Sequence, residues 1–202
     1  MNLYFIRHGE TDWNREGRLQ GQQDIPLNPL GARQAMLVGN HLAQLAGSRL
    51  ASLPFFVSPL IRTRQTADAM CAALGLPVGV YHVEEKLREI SFGAWEGKTW
   101  PEVTALDPQG AAARSRNKWG FAPPGGESYA DVRARILPFL QSLREDCCII
   151  AHGGIARAML VELAGINTAD AVARDIWQGK VLHFTGGEAH WHPHAGHETN
   201  QD

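Results

Sequence analysis

The chain has 202 residues, 44% of them hydrophobic, with 19 basic against 21 acidic side chains and a formal net charge of −2. That is enough apolar material for one full core, so residues 1–202 are expected to form a single domain, and a disordered class is excluded. The near-neutral balance argues against a general nucleic-acid or membrane-surface role, so any anion site must be local. Cys71, Cys147 and Cys148 lack the spacing of a disulfide framework and read as buried small hydrophobes in a reducing compartment, which points to a cytoplasmic protein. No basic segment with a long apolar run opens the chain, and no window approaches the roughly 20 apolar residues of a membrane span. Neither export nor insertion is expected.

Short apolar strands alternate with amphipathic helices, the pattern of a three-layer α/β/α sandwich with a mostly parallel central sheet and a small helical insertion. Leu3-Tyr4-Phe5-Ile6 is the first strand. An irregular stretch over 16–27 follows. A helix is then predicted over residues 29–46, with Asn28 as N-cap, Pro29 at the first helical position, and Gly47 as stop. Phe55-Phe56-Val57 is the second strand, running through Ser58-Pro59 into a helix over 60–74 that Gly75 ends, and residues 78–83 are predicted as a third strand. Residues 92–127 form a long insertion capping the site, with a short helix beginning near Ala111. Loops of that length in a compact domain are usually functional. Cys147-Cys148 open a strand centred on Ile149-Ile150-Ala151, a helix over 154–163 follows, and residues 181–184 and 189–192 make a closing hairpin around Gly186-Gly187.

Ligands of a parallel α/β sheet bind at the carboxyl ends of its strands. The first strand ends at Arg7-His8, the second at Ser58 with Arg62 in the next turn, and the later one at His152-Gly153-Gly154. Adjacent strand residues point to opposite faces, so Arg7 and His8 converge only if the chain turns after Ile6, which Gly9 permits. Glu89, just after the third strand, brings a carboxylate. Each has a plainer alternative when taken alone. Arg7 and His8 can be solvated groups at a strand end, His152 a satisfied histidine at a helix start, Arg62 a surface residue and Glu89 a solvated loop charge. Gln20-Gly21-Gln22-Gln23-Asp24 reads as a loop lining the site. Trp95, Trp100 and Trp119 read as packing the insertion against the body, with an apolar wall for a leaving group as the alternative. His190, His192, His194 and His197 read as an edge strand and polar tail, because they lack cysteine or carboxylate partners of metal-ligand spacing.

Arg7-His8-Gly9-Glu10-Thr11, then Asn14, Gly21, Asp24 and Pro26-Leu27, then Ser58-Pro59-Leu60-Ile61-Arg62-Thr63-Arg64-Gln65-Thr66-Ala67, resemble the histidine phosphatase superfamily in its phosphoglycerate mutase-like branch. Glu89, Phe92-Gly93-Ala94-Trp95-Glu96-Gly97, Pro124-Gly125-Gly126-Glu127-Ser128 and Ala151-His152-Gly153-Gly154 carry the resemblance through all but about the last 20 residues. It implies a phosphomonoesterase acting through a phosphohistidine on His8, with Arg7, Arg62 and His152 around the phosphoryl group and Glu89 as the proton-transfer group. Asn14, Gln20, Gly21 and Gly153 are then expected to bind phosphate, and no metal or cofactor is required.

A neutral imidazole suits attack on a phosphate dianion, which repels anionic nucleophiles, and arginine forks suit a transition state whose charge spreads over three oxygens. Glu10 is read as structural. By the same resemblance, mutases carry a longer insertion with adjacent arginines for the substrate carboxylate, and asparagine at the position of Gly154. Here Arg114, Arg116 and Lys118 are spaced, which favours hydrolysis. These cations read as a solvated face or, turned inward, as contacts for a second anionic group. A mutase and a catalytically weak phosphate-ligand binder stay as alternatives. The expected partner is a small phosphorylated substrate such as a sugar phosphate, a phosphoglycerate or α-ribazole phosphate, with phosphoproteins also in range. No nucleic-acid or membrane partner is expected, and a homodimer through exposed edge strands or the tryptophan-bearing insertion is left open.

Overall fold

The computed structural model describes residues 1–192. Six strands, β1 (Leu3–Arg7), β2 (Phe55–Val57), β3 (His82–Val83), β4 (Cys147–Ala151), β5 (Val181–Thr185) and β6 (Glu188–His192), form one sheet in the order β3-β2-β4-β1-β5-β6. The first four are mutually parallel, and the hairpin of β5 and β6 adds an antiparallel edge beside β1. Alternation along the central strands divides the core into two halves. Leu3 and Phe5 of β1 join Cys147, Ile149 and Ala151 of β4 on one face, while Tyr4 and Ile6 join Cys148 and Ile150 on the other. Both faces are covered, so these strands read as continuous apolar runs.

The helices are α1 (Asp12–Arg15), α2 (Pro29–Ala46), α3 (Ile61–Ala73), α4 (Trp100–Leu106), α5 (Pro108–Arg116), α6 (Tyr129–Ser142), α7 (Gly153–Ala164) and α8 (Thr168–Ala173). Buried side chains of α2 and α3 cover the Tyr4 and Ile6 face, and those of α6, α7 and α8 cover the opposite one. This is the expected sandwich. Asn28 caps α2 by accepting from the Gly31 amide at 2.8 Å, with Pro29 in the first turn, as that pair predicts. Cys71, Cys147 and Cys148 are buried free thiols, and burial pushes Cys147 up to about 12, which keeps it protonated.

Three expectations need correction. The third strand shrinks from 78–83 to His82–Val83, because Gly79 turns the chain at φ +83° and Val78 and Val80 are exposed rather than packed. The insertion is more ordered than an irregular loop. It holds α4 and α5, the latter starting at Pro108 on an Asp107 cap that accepts from Gly110, three residues before the expected Ala111. Gly9 is needed for a different reason. It is not in the left-handed region; instead a Cβ there would collide with the Gly31 carbonyl, so glycine lets the signature loop and the start of α2 touch. His194 and His197 lie outside the described residues.

Candidate active site

Strands β2, β4 and β1 are neighbours, so their carboxyl ends abut. The ladder runs one residue further on both sides of β4, with His8 N–H donating to Ala151 O at 3.0 Å and Ser58 N–H to Ile150 O at 3.1 Å. This draws His8, Ser58 and His152 together. The His8 and His152 ring centroids lie 5.2 Å apart at 59°. In front of them is a cavity of about 180 Å³ whose lining includes Arg7, His8, Asn14, Gln20, Gly21, Arg62, Glu89 and Gly153. His152 is fully buried and lies outside that lining. Leu19, Phe92, Arg18 and Arg157 complete it.

His8 Nδ1 is 2.7 Å from the Gly9 carbonyl, which can only accept, so Nδ1 carries the proton and Nε2 keeps its lone pair. Burial, then the charges of Arg62 and Arg7, hold the His8 pKa well below 6.5. The ring is therefore neutral at working pH. His152 is pushed the same way by burial, Arg62 and His8.

Backbone carbonyls hold the arginines. Arg7 Nη1 donates to Ile176 O at 2.8 Å, and Arg62 donates through Nη1 to Gln23 O at 2.7 Å and through Nη2 to Gly21 O at 2.8 Å. None of the ion pairs among the described residues involves either guanidinium. Their Nε atoms are buried without a hydrogen-bond partner among the described residues, and so is that of Arg157. Burial lowers Arg62 to about 10, opposed by Glu89 and Asp24. Donors left unspent in a desolvated pocket make a ready anion site.

Glu89 Oε1 accepts from the amides of Ile90 and Gly154, each at 2.9 Å. Burial raises its pKa above the ordinary 4.5, opposed by the Ile90 amide and by Arg62, Arg7 and Arg157. A Cβ at Gly154 would strike that same Oε1. Glycine at 154 is thus a condition for the position of the carboxylate.

Of the 20–24 loop, Gln20 and Gly21 line the cavity, and Gln22, Gln23 and Asp24 do not. Glu96 Oε1 accepts from the Gln22 amide at 3.0 Å and occupies the space a Cβ on residue 21 would need, and Asp24 Oδ1 accepts from Ile61 N–H at 2.6 Å. The Asn14 carbonyl oxygen is taken by Thr11 N–H at 3.2 Å and Gln178 Nε2 at 3.0 Å, which leaves its NH2 for a ligand. Glu10 Oε1 accepts from Asn28 Nδ2 at 2.8 Å, a structural contact outside the cavity.

Of the 92–127 segment, only Phe92 lines the cavity. The three tryptophans do not form one cluster. Trp95 is fully buried, stacks on Phe121 and meets Trp100 edge-on at 6.1 Å, Trp100 carries the Arg114 guanidinium at 4.5 Å, and Trp119 stands apart, stacked on Tyr129. Arg114 is half-buried, Lys118 Nζ donates to Val172 O at 2.7 Å, and only Arg116 fits a solvated face.

Arg157 escapes the sequence argument. It lies four residues after Gly153, on the same side of α7, where its Nη2 donates to Arg174 O at 3.0 Å. That i, i+4 spacing from the His152-Gly153 turn is the signal that would have found it.

A neutral histidine offering a lone pair to a small cavity, with guanidinium donors around it and no carboxylate pairing them, defines a phosphate-handling protein. Residues 3–195 match the model of the histidine phosphatase superfamily, branch 1, and the chain is an enzyme of that superfamily. The match reaches further toward the C-terminus than the motifs alone suggested. A glucosyl-3-phosphoglycerate phosphatase of Mycolicibacterium vanbaalenii is 34% identical, covering 96% of this chain and 84% of the relative. A probable phosphoglycerate mutase GpmB of Yersinia pestis is 31% identical over 82% of this chain and 76% of its own. Among solved structures, a phosphoglycerate mutase from Thermus thermophilus superposes with a TM-score of 0.72 at 36% identity, covering 93% of this chain and 95% of that one.

Proposed function

We propose that the enzyme hydrolyses the phosphomonoester of a small metabolite in two displacements at His8. In the first, Nε2 attacks phosphorus, the P–O bond to the substrate breaks, and protonated Glu89 gives its proton to the leaving alkoxide. In the second, ionised Glu89 takes a proton from water, the hydroxide forms a P–O bond, the P–N bond breaks, and inorganic phosphate leaves. Arg7, Arg62, His152 and Asn14 hold the equatorial oxygens through both steps. The carrying observation is the 2.7 Å bond from His8 Nδ1 to the Gly9 carbonyl, which directs the free lone pair of Nε2 to attack.

Hydrolysis is favoured over transfer by the contact between Gly154 and Glu89, since the residue at 154 is the one that separates the two activities by resemblance. Curated relatives named phosphatases at 34% identity support the same reading. The substrate we infer carries a second anionic group. Arg157 lines the cavity, and burial followed by the charges of Arg157 and Arg114 lowers Lys118, so three cations gather with Asp175 as the acidic neighbour. The names of the relatives include phosphoglycerates, which have a carboxylate beside the phosphate. With arginine as the clamp the reaction requires no metal. Buried free thiols fit a reducing compartment, and no described helix is long and apolar enough to cross a membrane; the cytoplasm is the location we propose.

Purified protein in excess chelator is expected to release inorganic phosphate from an aryl phosphate. Interconversion of phosphoglycerate isomers faster than phosphate release would select the mutase, and binding of phosphate with no turnover of any monoester would select the binder.

A further inference from the structure

His152 stands in the turn between β4 and α7 with no exposed surface, and its two ring nitrogens have different surroundings. Nε2 lies 2.7 Å from the Ser58 hydroxyl, while Nδ1 is buried with no partner among the described residues. Burial, then Arg62, His8 and Arg7, hold its pKa well below 6.5, so the ring is neutral and carries one proton, and its tautomer decides what Nδ1 can do. Protonated, Nδ1 donates to an anionic oxygen. Unprotonated, it turns a lone pair toward that oxygen and repels it.

The hydrogen bonds around Ser58 favour one direction. Its Oγ accepts from Leu60 N–H at 3.5 Å, and its other contact is His152 Nε2. An amide N–H can only donate, so among the described residues Nε2 is the acceptor within reach of the hydroxyl proton, and donation to it leaves no Ser58 proton unsatisfied. Its position follows from the sequence. Ser58 is the first residue past β2, the neighbour of β4, and Pro59 bars it from helical backbone.

We propose that Ser58 is a positioning residue whose hydroxyl donates to His152 Nε2, keeps the ring proton on Nδ1, and so makes that orphaned nitrogen a donor to the transferring phosphoryl group. The proposal rests on the reading that His8 Nε2 accepts the phosphoryl group, since that group then lies beside a ring whose centroid is 5.2 Å from that of His8.

Ring 15N NMR of the wild-type enzyme reads the tautomer directly. We expect a protonated Nδ1 and an unprotonated Nε2 for His152, and a mixture of tautomers in Ser58→Ala. In kinetics, Ser58→Ala is expected to lower kcat by roughly 10- to 100-fold, the scale of a weakened transition-state donor, with KM nearly unchanged. Ser58→Thr should recover part of the loss, and Ser58→Ala should cost nothing further in a His152→Ala background. A proton on Nε2 in the wild type, or an equal loss from Ser58→Ala with and without His152, overturns the proposal. If Ser58→Ala fails to fold, the wild-type spectrum still decides. Phosphoenzyme trapped on His8 alongside an unprotonated Nδ1 would sink this assignment alone, whereas absence of any phosphohistidine would sink the reading beneath it.

Discussion

The strand-end rim and the 92–127 insertion both hold cations, but by different means. On the rim, Arg7, Arg62 and Arg157 are tied to the carbonyls of Ile176, Gly21, Gln23 and Arg174. A carbonyl satisfies an N–H without cancelling the charge, so the positive field survives for a ligand. In the insertion, Arg114 lies over the Trp100 ring, and the helices are held by their own caps, Thr99 with Glu102 and Asp107 with Gly110. Those contacts fold a segment but commit little to a site. Desolvation of the rim cations is offset by those carbonyls, whereas the insertion meets the body through Trp119 on the core, Lys118 on the Val172 carbonyl and Glu96 on the 20–24 loop. Chemistry belongs to the rim in that division, and the proposed contact for a second anionic group starts from Arg157, which lines the cavity, and reaches its cationic neighbours Arg114 and Lys118, which do not.

Substitutions in the two regions should therefore separate into kcat and KM effects. His8→Ala is the largest, with a fall in kcat of roughly 10³-fold or more. Arg62→Lys should cost on the order of 10²-fold in kcat, because a compact ammonium lacks the planar fork that reaches the Gly21 and Gln23 carbonyls through Nη1 and Nη2 while Nε–H stays apart for phosphate. A retained rate in that variant would show that charge alone suffices.

Gly154→Ala should displace the Glu89 carboxylate and lower kcat by about 10-fold, with KM little changed, since small misplacements of a reacting group are costly. The pH profile belongs to the same test. Glu89 must be protonated to aid the leaving group, and burial raises its pKa above 4.5, so kcat/KM should fall on a basic limb that lies above pH 4.5, and Glu89→Gln should erase the limb. The acid limb from His8 should lie well below pH 6.5. Smallest is Arg114→Ala, a several-fold rise in KM for monoesters with a second anionic group and none for a plain aryl phosphate. A matching rise for both would deny the insertion its role in selectivity.

The two regions also differ in how far the chain could be read. Rim residues come from short motifs at strand ends, and the apolar runs through Leu3 to Ile6 and Cys147 to Ala151 placed those ends correctly. The pairing of Ser58 with His152 needed the strand order β2-β4, which no local pattern encodes. Helix α6 had readable signals, a capping box of Ser128 with Asp131 and buried residues at Tyr129, Val132, Ile136 and Phe139. Pro138 inside it reads as a breaker, yet packing on β1 and β4 outweighs the lost hydrogen bond. Val78 and Val80 misled in the opposite sense, since β-branched residues suggest a strand only where a partner of sufficient length exists, and β2 has three residues.

The central claim is that His8 carries the phosphoryl group between substrate and water. Rapid mixing with a labelled phosphomonoester, a quench in base, and mapping of the label is its most direct test. We predict an acid-labile, base-stable label on the peptide containing His8, rising before free phosphate and absent from His8→Ala. Label on any other residue, or His8→Ala turning over at the wild-type rate, would contradict the account.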